Sequence, residues 1–145
     1  MPTPPIETVL ETCLYVDDLA AAHSFYTEVL GLRCVEFDAE RHLFLDLEPG
    51  NLLLFLATSS ERGGDVRGQE IPPHGARGPG HIAFMMSAEG LELWQATLRA
   101  QHIDIESVVD WPQGGRSIYF RDPAGNSLEL AERRIWNVVE EEPAE

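Results

Sequence analysis

The strongest constraint on this chain is that its pattern occurs twice. Residues 116–132 read RSIYFRDPAGNSLELAE and residues 43–57 read LFLDLEPGNLLLFLA, each a pair of short apolar strands around a Pro/Gly turn. Upstream of each hairpin lies a short apolar strand opened by a polar residue, ETCLYV from Glu11 and HIAFMM from His81, and a helical stretch follows each. Such self-similarity specifies a duplicated β-α-β-β-β module. In the later hairpin, 117–120 and 128–130 are expected as strands. Pro123 presets the turn between them and Gly125 supplies a positive φ. Aligning Gly50-Asn51 with Gly125-Asn126 puts Leu54 in the place of Glu129, and matching the two upstream strands puts Glu11 in the place of His81.

On the return strand Leu128 and Leu130 point one way, and Ser127, Glu129 and Ala131 the other. A carboxylate flanked by leucines is either an exposed side chain on a half-solvated sheet or a ligand or base facing a cavity. The first strand, 10–16, alternates likewise, with Glu11, Cys13 and Tyr15 opposite the face that packs on helices. Asp17 or Asp18 caps the first helix, which is expected to run to about Leu30 and stop at Gly31. Strands are expected at 32–37, 42–47 and 52–57. Leu52, Leu54 and Leu56 share one face, which would give the site an apolar wall. The second helix starts at Ser87 or Glu89 with Leu91, Trp94 and Leu98 inward, and a strand is expected at 103–109. Residues 135–139 form a last segment carrying Trp136, and the closing EEEPAE is a solvated acidic tail. The segment 58–80, dense in Gly, Pro and charge, is either a plain linker or a lid. His74 and Arg77 are its candidates for touching a substrate, and Arg116 offers a planar guanidinium for a carboxylate.

Composition bounds the rest. At 145 residues the chain is one domain's worth, with a sizeable core. A net charge of −15 excludes nucleic acid and anionic membrane as partners. No run reaches membrane-spanning length, and the N-terminus lacks the features of a signal peptide. Cys13 and Cys34 are too few for a disulfide framework and lack metal-site spacing. The compartment expected is a reducing cytoplasm.

The strings YVDDLAAAHSFYTEVLGL, GPGHIAF and FRDPAGNSLELAE resemble the vicinal oxygen chelate superfamily, which includes glyoxalase I, extradiol dioxygenases, fosfomycin-resistance enzymes and bleomycin-binding proteins. The resemblance implies an α+β fold in which two βαβββ modules form a curled sheet around a central cavity, with the helices outside. Residues 1–145 would make one such domain: module one about 8–58, linker about 59–79, module two about 80–132, acidic tail about 140–145. In metal-dependent members the ligands come from the first strand of each module and the last strand of one or both. Carried over, these are Glu11, His81 and Glu129, with Glu129 also the catalytic carboxylate and Leu54 at a fourth position that cannot ligate. The family commonly has His where this chain has Glu11.

Two carboxylates and an imidazole suit a divalent ion, Mn, Fe, Co, Ni or Zn. With Leu54 inert, coordination positions stay open for a substrate. The function expected is a glyoxalase-like enzyme that polarises a carbonyl or enolate of a small oxygen-bearing molecule. Leu54, His74 and Arg116 would contact that molecule. The alternatives are a metal-free binding protein of the bleomycin-resistance kind and an extradiol-type dioxygenase. The resemblance also implies a homodimer.

Overall fold

The computed structural model describes residues 2–136, and the acidic tail and residues 137–139 lie outside them. The fold is α+β, and the chain divides into two compact units, Met1–Gly78 and Pro79–Glu145. Each contains one βαβββ module.

In the first unit the order is β1 (Glu11–Val16), α1 (Leu19–Ser24), β2 (Arg33–Asp38), β3 (His42–Leu47) and β4 (Gly50–Leu56). The sheet order is β1-β4-β3-β2, with β1 parallel to β4 and the remaining pairs antiparallel. A parallel pair needs a crossover, and the helix between β1 and β2 begins it. Asp18 caps that helix by accepting from the Ala21 amide at 3.0 Å. The expected single helix is in fact α1 followed by a π-helical turn, Phe25–Val29, in which the Leu30 amide reaches back to the Phe25 carbonyl. The widened turn places Phe25 and the fully buried Tyr26 against each other, with ring centroids 5.4 Å apart. Gly31 then ends the segment at φ +70. Leu19 and Ala22 of the helix meet Leu14, Leu43, Leu45, Leu52 and Leu54 of the sheet to make the core. Each such leucine contributes about 1.5–3 kcal/mol relative to leaving it in water.

The 58–80 segment is more regular than its composition suggests. It opens with α2 (Ala57–Ser60) and carries a small hairpin, β5 (Gly64–Val66) and β6 (Gln69–Ile71).

The second unit repeats the plan: β7 (His81–Met85), α3 (Ala88–Ala100), β8 (Ser107–Asp110), β9 (Arg116–Arg121) and β10 (Ser127–Ala131), ordered β7-β10-β9-β8. Ser87 caps α3 by accepting from the Gly90 amide at 3.0 Å. The strand β8 is shorter than expected. The Ile103 amide still bonds back to Leu98, and His102 takes φ +58, so 101–106 serve as the helix exit. Leu91 and Leu98 are buried from the helix side, with Ile118, Phe120, Leu128 and Leu130 from the sheet. The β9–β10 turn is held by Asp122, whose carboxylate accepts from the amides of Ala124 and Asn126 and from the Asn126 side chain. Asn126 Oδ1 in turn accepts from the Gly80 amide at 2.7 Å, tying the hairpin to the start of β7. Residues 133–136 form a 3-10 turn with Trp136 exposed.

Candidate functional site

In the second unit, β7 and β10 run parallel with His81 beside Ser127 and Ala83 beside Glu129. Alternation puts His81 and Glu129 on the same face, away from α3. His81 Nε2 lies 3.2 Å from Glu129 Oε1, and His81 Nδ1 lies 3.0 Å from the Ser127 carbonyl oxygen. That carbonyl can only accept, so Nδ1 carries the proton. Nε2 is then either protonated and paired with Glu129, or it and Oε1 present lone pairs to one point. The second arrangement is the donor geometry of a divalent-ion site, with the far ring nitrogen fixed by a backbone carbonyl.

Glu129 is buried, only 6% exposed, although it is a carboxylate. Its second oxygen explains how it is held there. Ser117 Oγ donates to Oε2 at 2.5 Å, and Trp111 Nε1 donates to Ser117 Oγ at 2.9 Å. Tyr119 lies directly opposite Glu129 on β9, and its ring is stacked near His81 with centroids 6.3 Å apart. Burial, and then the charge of Glu129, push the Tyr119 phenol up from its ordinary value. The phenol therefore stays protonated at neutral pH, able to donate. Among the described residues no three His, Cys, Asp or Glu side chains gather to hold an ion, so the pair supplies two donors and not a full set.

In the first unit the face of β1, β4 and β3 that carries Glu11, Cys13 and Tyr15 lines a cavity of about 860 Å³. Its wall is aromatic, with Phe44, Phe55, Tyr15 and His42 among the lining, and β5–β6 borders it. His74 stands at this cavity, its Nδ1 2.6 Å from the Tyr15 hydroxyl and its ring 4.7 Å from that of Phe55. Arg77 is committed to an ion pair with Glu61.

Two expected contacts are corrected. Leu54 does not face this cavity. It pairs with Leu14 and is fully buried on the helix side of the sheet. The residue in the register position of Glu129 is Leu53, paired with Cys13 as Glu129 is with Ala83. The cause is turn length. The β3–β4 turn holds only Glu48 and Pro49 between the paired Leu47 and Gly50, whereas the β9–β10 turn holds residues 122–126. Gly50 thus already lies in its strand while Gly125 is still in its turn, and a one-residue slip exchanges the two faces. Arg116 is also misplaced. It shares parity with Ile118 and Phe120 on the α3 side, opposite Glu129, and its Nε donates to Asp110 at 2.8 Å. There it borders a smaller cleft of about 300 Å³ with Glu92 and Glu132.

Ser117, Tyr119 and Trp111 were not anticipated as site residues. The alternation of 116–121 carries the signal for the first two, since both share the parity that faces Glu129. Nothing local in the sequence marks Trp111 as the hydrogen-bond donor behind them.

Comparison with known proteins identifies the family and the fold. Residues 8–130 match the family described as Glyoxalase/Bleomycin resistance protein/Dioxygenase superfamily. The chain is 33% identical over 116 residues to the metallothiol transferase FosB of Bacillus licheniformis, covering 79% of this chain and 68% of that protein. It is 30% identical over 138 residues to the metapyrocatechase of Pseudomonas sp. strain CF600, covering 90% of this chain but only 40% of that protein. Among solved structures, a lactoylglutathione lyase from Agrobacterium tumefaciens superposes with a TM-score of 0.84 at 38% identity, covering 92% of this chain and 98% of that one. The chain belongs to the Glyoxalase/Bleomycin resistance protein/Dioxygenase superfamily.

Proposed function

We propose that the chain is a divalent-metal-dependent enzyme of glyoxalase type, acting on a small oxygen-bearing molecule. The observation that carries the reading is the His81–Glu129 pair, with His81 Nδ1 against a backbone carbonyl and Glu129 Oε2 against Ser117. This leaves one imidazole nitrogen and one carboxylate oxygen facing each other. These two would hold the ion, with Glu11 as third ligand from this chain or a second copy of it. The donors are oxygen and imidazole nitrogen, which suits Mn, Fe, Co, Ni or Zn. Bound there, the ion would polarise a carbonyl or enolate oxygen of the substrate. Further support comes from the relatives, one of which is named a metallothiol transferase and another a lactoylglutathione lyase.

The chain's own groups have separable tasks. Ser117 fixes the Glu129 carboxylate so that Oε1 alone is free to bind or to take a proton from the substrate. Tyr119 holds its proton at the phenol oxygen, where it can donate to an oxygen gaining charge. Glu129 is the catalytic carboxylate in this reading. Metal analysis of purified protein, followed by an activity screen with the metal found, tests it. Less than 0.1 equivalent of any divalent ion after incubation and desalting would count decisively against it.

The aromatic cavity of the first unit favours one competing reading, a metal-free small-molecule binding protein, which the same metal analysis separates. An extradiol-type reaction would require iron and measurable oxygen consumption. No helix among the described residues is long and apolar enough to cross a membrane, and the partners we propose are a small-molecule substrate and a second copy of the chain in a cytoplasmic homodimer. Sedimentation giving only monomer at micromolar concentration would refute the dimer.

A further inference from the structure

Beyond that reading and independently of it, we propose that the first unit's cavity takes an elongated planar aromatic anion, an aryl carboxylate in its simplest form. The ring would lie against Phe44 and Phe55, the anionic group on Arg41, and the opposite end beside Glu11. The cavity, about 860 Å³, lies within the range of small-molecule pockets. Its wall is built from rings at fixed angles. His42 stacks on Phe44 with centroids 4.1 Å apart and 12° between planes, and Phe44 meets Phe55 edge-on at 5.9 Å and 69°. A flat ring can satisfy both surfaces by offset stacking and edge contact.

The polar groups set the charge. All ten basic side chains of the protein are arginine, against 25 acids. Arg33, Arg77, Arg116, Arg121 and Arg134 are each paired to a carboxylate. Arg41, in the β2–β3 turn, lines the cavity, and it is in none of the ion pairs among the described residues. Its Nη2 sits 3.6 Å from where a Cβ on Gly64 would be, so the guanidinium reaches β5 at the cavity edge. The Asp65 carboxylate in the same lining instead accepts from the Gly68 amide. A planar guanidinium in none of these ion pairs suits a planar oxyanion. Next to it, His42 Nε2 is closed from solvent and has no hydrogen-bond partner among the described residues, with Glu36 Oε1 at 3.6 Å. Such an atom marks a place where a ligand or water atom is due.

The register sets length and direction. Glu11 pairs with Asn51 and Tyr15 with Phe55, four residues further along. His42 pairs with Phe55, and Arg41 precedes it. Arg41 and Glu11 therefore stand about 13 Å or more apart along the strands, so an anionic group on Arg41 is held away from the Glu11 end.

The test is calorimetric titration of 2-naphthoate, its neutral isostere 2-naphthol and the non-aromatic cyclohexanecarboxylate. Each is added to wild type, Arg41→Gln and Phe55→Leu, with thermal melts to confirm folding. Naphthoate is expected to bind wild type most tightly. Arg41→Gln should weaken naphthoate about ten-fold and leave naphthol unchanged, while Phe55→Leu should weaken both. The series is repeated with chelator and in Glu129→Ala, where binding should persist whether or not the metal reading holds. No saturable naphthoate binding, equal binding by Arg41→Gln, or binding that vanishes with chelator while Arg41→Gln retains it would each overturn the proposal. The last result would put the anion at a metal.

Discussion

Ser117 Oγ donates to Glu129 Oε2 at 2.5 Å while accepting from Trp111 Nε1, so one fully buried hydroxyl joins an indole to a carboxylate. A carboxylate taken out of water needs its lone pairs satisfied, and this hydroxyl supplies one partner in a place closed to solvent. Ser117→Ala would leave the Trp111 N–H without that acceptor and Glu129 Oε2 without its donor. Chemical denaturation is expected to show a loss of about 1–3 kcal/mol. If Glu129 binds a metal, the affinity should also fall by about 10–100-fold, as for other groups that orient ligands from behind. Ser117→Thr keeps the hydroxyl and should recover much of the affinity. If Ser117→Ala alters stability but not metal affinity, Ser117 is structural only.

Restoring Mn²⁺, Co²⁺, Ni²⁺ or Zn²⁺ to chelator-treated protein should raise its melting temperature. An ion that binds only the folded state contributes about 4 kcal/mol at a thousand times its dissociation constant. In a chain of this size that is a rise on the order of 10 °C. His81→Gln and Glu129→Ala should lose most of the rise. Glu11→Gln should lose part of it, as expected of one ligand in three. Equal rises in wild type and Glu129→Ala would remove Glu129 from the ligand set.

The modules, the helix caps and the Asp122–Asn126 turn were legible because each has a short-range cause: alternation, a capping aspartate, a proline and a glycine. His81 and Glu129 were legible for the same reason, being at fixed places on paired strands. The position matched to Glu129 in the first module was not. It depends on how many residues the turn holds, and two Gly-Asn pairs look alike in sequence although Gly50 is in a strand and Gly125 has φ +91 in a turn. Arg116 was misread because a β-strand reverses its facing at every residue, so Arg116 and Ser117 serve opposite sides of one sheet. The π-helical turn at Phe25 has no periodic signature, and the β5–β6 hairpin is closed by a short local turn, Arg67 and Gly68 at positive φ with the Asp65 carboxylate accepting from the Gly68 amide, which composition alone does not reveal.

The register of β4 can be tested directly. Leu54 is fully buried on the helix side, whereas Leu53 borders the cavity. Leu54→Ala should cost about 2–5 kcal/mol in urea unfolding. Leu54→Glu should fail to fold, because the charge would enter the leucine core. Leu53→Glu should fold, with its carboxylate able to reach the cavity. The reverse order of tolerance would restore Leu54 as the cavity residue.

The final expectation concerns acid pH. Arg121 grips Glu106 through Nε at 2.6 Å and Nη2 at 3.1 Å, and its Nη1 donates to the Gly125 carbonyl of the β9–β10 turn. The hydrogen bond from Arg121, reinforced by its charge, holds the Glu106 carboxyl below the ordinary carboxylate range. A pKa depressed by folding favours the ionised form in the native state. This pair's contribution is therefore complete above the unfolded-state value, about 4.3, and is lost as pH falls through the lower native value. Both side chains are substantially exposed, so water and salt screen the pair and the change in global stability should be small. The sensitive measurement is the Glu106 carboxyl resonance followed by NMR from pH 7 to pH 2. In wild type it should titrate below the ordinary range, and in Arg121→Gln it should return to it, while the β9–β10 turn amides exchange faster. Titration at the same pH in both proteins would show that the guanidinium does not hold Glu106 in solution.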